Sequence, residues 1–68
     1  MPSPDPTSAA NELHAIADTV DRQRERVGGI AEPFLATDRE DVITTIHEAE
    51  RQLVMAVRAL RRAIKALS

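Results

Sequence analysis

The sequence predicts an all-α protein: an antiparallel two-helix hairpin that dimerises into a four-helix bundle. Three observations carry that expectation. Residues 38–67 contain no Gly or Pro, and Ile46, Leu53, Leu60 and Leu67 recur every seven residues, the period of a helix packed along a seam. An earlier stretch repeats the pattern, with Leu13, Val20, Val27 and Phe34 also seven apart. The connection between the two stretches is too short for anything but antiparallel neighbours.

Sixty-eight residues leave room for one domain with a modest core. There is no Cys, so disulfides and thiolate metal sites are excluded. Apolar residues make up 43% but aromatics only 1%, with Phe34 alone. Such apolar mass suits interhelical seams better than a ligand cavity. The net charge of −2 argues against a chain that binds polyanions with its whole surface. Eight Arg against one Lys, with eleven Ala, fits a GC-rich genome, and a bacterial origin is expected. Residues 1–8 have no basic residue and no apolar run, unlike a secretory signal. No segment approaches the ~20 apolar residues of a membrane span, so a cytoplasmic location without membrane contact is expected.

Residues 1–7 are expected to be a disordered lead-in, because Pro2, Pro4 and Pro6 each fix their own φ and push the preceding residue toward extended geometry. Asp5, Thr7 and Ser8 are competent N-caps and Pro6 suits a first helical turn. The first helix is expected over residues 8–35, starting within two residues of Thr7 or Ser8. Its seam is assigned to Leu13, Val20, Val27 and Phe34 with Ile16, Gln23 and Ile30 as companions. Asn11, Asp18, Glu25 and Glu32 lie on the opposite, solvated face. Gly28-Gly29 and Pro33 complicate its second half. Either the helix ends at Val27, or it continues with a kink near residues 28–33. The unbroken apolar phase through Ile30 and Phe34 favours continuation.

Thr37 and Glu40 have the spacing of a capping box, and Asp38, Glu40 and Asp41 suit the positive end of a helix dipole. The second helix is expected over residues 38–67, with Arg58, Arg61, Arg62 and Lys65 toward its negative end. A turn at residues 36–38 sets residue i opposite roughly residue 73 − i. Leu13 then meets Leu60, Ile16 meets Val57, and Gln23 and Arg24 form one polar layer with Ala49 and Glu50. Whether that layer is a solvated ion pair or a device that fixes register stays open.

Leu53-Val54-Met55-Ala56-Val57 is apolar around most of a helical circumference. A hairpin covers only part of it, and burial yields about 25 cal/mol per Å². A second copy is therefore expected against Ala49, Leu53, Ala56, Val57, Leu60, Ala63 and Ile64.

No catalytic or cofactor pattern is found. His14 and His47 are the only imidazoles and fall far apart on the hairpin. Only His47 and Glu50 have a ligand-like spacing, so no metal or other cofactor is expected. No nucleophile–base pair or phosphate loop is present, and no enzyme activity is expected. Arg51, Arg58 and Lys65 are seven apart, with Arg61 and Arg62 alongside. This stripe suits phosphate contact, although no aromatics interleave for base stacking.

Two near-equal helices, a short turn and alternating small and large seam layers resemble the Rop-type RNA-binding plasmid copy-number regulators. The resemblance spans the hairpin and carries no sequence motif. It implies a dimeric bundle and RNA contact through first-helix residues, one of them aromatic. Here the outer face of the first helix is acidic and Phe34 falls on the seam. Secreted helical hairpins of the WXG type share the outline, but this chain has neither Trp nor Tyr.

The expected function is a non-enzymatic protein–protein interaction and oligomerisation module. Its partners would be itself and a larger protein. The alternative is a small nucleic-acid-binding regulator using Arg51, Arg58, Arg61, Arg62 and Lys65.

Overall fold

Two long helices lie side by side in a rod of 58 × 18 × 14 Å. The computed structural model describes residues 3–68. Helix α1 spans Pro6–Ala31, a 3₁₀ segment spans Glu32–Ala36, and α2 spans Glu40–Ala66. No strand occurs among the described residues. The lead-in expected over residues 1–7 lies partly outside the described residues, and Pro6 already belongs to α1.

Asp5 starts α1. Its backbone is extended, and its carboxylate accepts from the Thr7 amide at 3.0 Å and the Ser8 hydroxyl at 2.9 Å. Pro6 follows at the first helical position, where its missing N–H is not needed.

The α-helix neither ends at Val27 nor continues to Leu35. It runs through both glycines to Ala31 and then tightens into the 3₁₀ segment. Pro33 explains the position of the change. It has no N–H to give Gly29, and its ring crowds that carbonyl. The Glu32 N–H takes the Gly29 carbonyl instead.

The expected capping box does not form. Thr37 closes the 3₁₀ segment: its hydroxyl donates to the Phe34 carbonyl at 2.7 Å and accepts from the Arg39 amide at 3.2 Å. With its oxygen engaged there, α2 begins at Glu40, two residues later than expected. Arg39 precedes it and grips Asp41 with two hydrogen bonds, at 3.1 and 3.2 Å.

The residues of α1 and the 3₁₀ segment withdrawn from solvent at steps of three and four are Ala10, Leu13, Ala17, Val20, Arg24, Val27, Ala31 and Phe34. Those of α2 and the residue that caps it are Ile43, Ile46, Glu50, Leu53, Val57, Leu60, Ile64 and Leu67. Each is a complete coiled-coil seam. One expectation is corrected. Ile16 and Ile30 are exposed, at 45% and 57%, and an alanine series with Arg24 takes their place. Val57, expected both opposite α1 and at the dimer interface, is the most buried residue of α2 within the hairpin.

Three contacts between the helices bear on the register. Arg24 lies 3.6 Å from Glu50, close to the expected pairing, whereas Glu50 also packs against Gly28 and Asp18 lies 3.8 Å from Arg61. The last two favour a register in which residue i lies opposite roughly residue 77 − i. In that register Ala10, Ala17 and Ala31 would oppose Leu67, Leu60 and Ile46, a small residue facing a large one in each of the three layers.

The glycines differ in what a side chain would meet. A Cβ on Gly28 would overlap the Glu50 carboxylate, whereas one on Gly29 would meet nothing within 4 Å. Gly29→Ala should stabilise the chain by about 1 kcal/mol, raising the thermal midpoint by about 4–8 °C. Gly28→Ala should gain less, because Glu50 must move. Thermal melts followed by circular dichroism check both.

Candidate functional site

The two flanks of the hairpin differ in chemistry. In an antiparallel pair, positions just before one seam series share a flank with their counterparts on the other helix. On the first flank α1 contributes Ala9, Ile16, Gln23 and Ile30, and α2 contributes Val42, Ala49, Ala56 and Ala63. Ile16, Ile30, Ala49, Ala56 and Ala63 are all exposed. From Ile16 to Ile30 this apolar flank runs about 21 Å along the axis.

The expected interface residues therefore divide. Ala49, Ala56 and Ala63 stand free on the first flank. Leu53, Leu60 and Ile64 are half-buried and Val57 buried, all four within the seam. The surplus apolar surface comes from the alanines together with Ile16 and Ile30 of the other helix. A sequence signal for this existed: Ala10, Ala17 and Ala31 keep perfect three–four spacing with Leu13, Val20, Val27 and Phe34. Preferring the larger Ile16 and Ile30 hid it.

The second flank is charged. On it α1 carries Asp18, Asp21 and Glu25, while α2 carries Arg51, Arg58 and Arg61. The five basic candidates, Arg51, Arg58, Arg61, Arg62 and Lys65, are all exposed. Arg51 pairs with Glu48 one turn away, and Arg61 reaches Asp18 at 3.8 Å. Such exposed pairs contribute roughly 0–1 kcal/mol each.

The polar layer is Arg24, not Gln23, which is exposed. The Arg24 guanidinium sits 3.0 Å from Asp21, 3.5 Å from Glu25 and 3.6 Å from Glu50. The hydrogen bond that Arg24 donates to the Asp21 carboxylate raises the Arg24 pKa above its ordinary value, against partial desolvation. This layer interrupts an apolar seam with a matched charge pair, so slipping the helices by one heptad would strand Glu50 against Ala17 or Ala31.

Both histidines are exposed and on different layers. Among the described residues no three His, Cys, Asp or Glu side chains gather as a metal would need. No described helix is long and apolar enough to cross a membrane. No family model matches the chain, and no curated protein or solved structure matches it.

Three carboxylates tie the fold to pH. The Ser8 hydroxyl and Thr7 amide hold Asp5 below its ordinary 3.8. Arg39 does the same for Asp41, and Gln52 with Arg51 holds Glu48 below its ordinary 4.5. A lowered folded-state pKa means stability present above the unfolded value and lost as pH falls through the folded one. The thermal midpoint should be flat from about pH 7 to about pH 5 and fall below about pH 4. Dichroism melts across that range test it; a midpoint that rises on acidification would contradict these contacts.

Proposed function

We propose that the chain is a non-enzymatic interaction module whose hairpins associate in pairs through the Ile16–Ile30 and Ala49–Ala56–Ala63 flank. The observation carrying this reading is unspent surface. Among the described residues only Ala17, Ala31 and Val57 are buried. The chain exposes 5293 Å², whereas a compact monomer of this size exposes about 4,200 Å². The excess, about 1,000 Å², is close to the ≈ 800 Å² per partner of a standard stable interface.

The flank suits a copy of itself. Its α1 series is centred on Gln23, with Ile16 and Ile30 one heptad to either side. Antiparallel pairing of α1 with its own copy sets each Ile16 against an Ile30 and Gln23 against Gln23. A carboxamide both donates and accepts, so two can pair across a two-fold axis. The alanines of α2 let the second pair of helices approach closely.

Light scattering tests the reading. A mass near twice that of the chain at micromolar concentration is the expected result. A folded monomer there removes the proposal. The second reading, a nucleic-acid-binding regulator, draws on the exposed Arg58, Arg62 and Lys65, which form no ion pair within 4 Å among the described residues. Titration of a labelled duplex and a structured RNA at low salt separates the two, since absence of binding there eliminates phosphate recognition.

A further inference from the structure

Two copies can meet through the apolar flank in two ways. Turned about the long axis of the rod, they lie with their turns side by side, and α1 packs on the partner's α2. Turned end over end, they lie with opposite ends together, and α1 packs on the partner's α1. Apolar surface is covered in both. The charges that each hairpin leaves unmatched separate the two arrangements.

Charged side chains in no ion pair within 4 Å among the described residues are spread unevenly along the rod. At the turn they are Glu32, Asp38 and Glu40, all acidic. At the open end, where the chain begins and finishes, Arg58, Arg62 and Lys65 outnumber Asp5 and Glu12. Arg22 and Arg26 lie near the middle, beside the surplus carboxylates around Arg24. Each hairpin is therefore negative at its turn and positive at its open end, although the chain carries a net charge of −2.

We propose, on the footing of the association described above, that this asymmetry sets the two copies end over end and makes ionic strength the control on how tightly they hold. Turns side by side would gather the unmatched carboxylates of both copies, and like charges set against each other reject that arrangement. End over end, each acidic turn lies beside the basic end of the other copy, and the two-fold relation repeats the contact. Packed helices run about 8–10 Å apart, close to the screening length of about 10 Å in 0.1 M salt, so these charges act on one another without touching. This is also the arrangement in which Gln23 meets Gln23. Two chains of net charge −2 would otherwise repel more strongly as salt falls, so tightening at low salt is the mark of arranged ends and not of net charge.

The described chain has no Cys, so a nitroxide on Ala36→Cys, exposed at the turn, reports the orientation of the full chain by pulsed electron resonance. Packing end over end about Gln23 puts the two labels about 40 Å apart. Turns side by side would put them within about 20 Å. The longer distance is expected. The dissociation constant, followed by light scattering, should tighten about tenfold between about 150 and about 15 mM salt. Glu32→Lys with Asp38→Lys makes both ends positive and should reverse that trend. Adding Arg62→Glu and Lys65→Glu exchanges the signs of the two ends and should restore it, with dichroism unchanged throughout. A folded monomer at every salt concentration removes the association and this orientation with it. A dimer with the short label distance, with an affinity that does not tighten at low salt, or with no recovery in the exchanged chain leaves the association standing and overturns the orientation.

Discussion

Ile16→Glu combined with Ile30→Glu is expected to turn the proposed dimer into a poorly folded monomer. Both side chains are exposed in the hairpin, so neither substitution disturbs a buried contact within one chain. In a two-fold dimer the pair of changes places four carboxylates in one apolar interface. Each loses about 1.5 kcal/mol or more of side-chain burial, which sums to about 6 kcal/mol per dimer before any cost of desolvating charge. That corresponds to about a 10⁴-fold weaker association. The light-scattering mass should halve, and the thermal midpoint should fall and lose its dependence on protein concentration. Ala56→Glu, on the same flank from the other helix, should act in the same direction. Ala15→Glu, exposed on the outer face of α1, should leave mass and midpoint unchanged. An Ile16→Glu, Ile30→Glu protein that keeps the wild-type mass would mean that the flank is not the interface.

The helices themselves were legible because heptad spacing is a local property. Gly and Pro placement bounded them to within a few residues. What stayed hidden depended on comparing residues of different size. Ile16 and Ala17 are neighbours, and hydrophobicity alone favours the isoleucine for a seam. Close approach of two helix axes favours the alanine, because each layer has one volume to fill and Leu60 supplies most of it. Burial is thus decided by the partner helix, which a single stretch does not display. The register was missed for a related reason. Thr37 had two competing uses for its hydroxyl, and its bond to Phe34 within the 3₁₀ segment displaced the cap that would have started α2 earlier. That two-residue delay moved the turn, while Arg24 still reaches Glu50 as the sequence leads one to expect.

Ala17→Leu should destabilise the chain even though it adds apolar surface and scarcely alters helix propensity. Ala17 is completely buried, and three extra carbons have nowhere to go between the two helices. Overpacking of this kind costs about 1–3 kcal/mol. Leu60→Ala, taken alone, should cost about 2–5 kcal/mol through the lost burial and the cavity left behind. Both residues occupy one layer if residue i faces roughly residue 77 − i. The double variant then exchanges a small–large pair for a large–small pair of equal volume, and its loss should be smaller than the two single losses added, by about 0.5–3 kcal/mol of favourable coupling. Under the register that sequence alone suggested, Leu60 would face Leu13 and the two changes would strike separate layers. The losses would then simply add. Urea denaturation of the four proteins, at one concentration so that association does not vary between them, measures the coupling. Additive losses would reject the layer assignment, and with it the explanation of why the seam of α1 is lined with alanine.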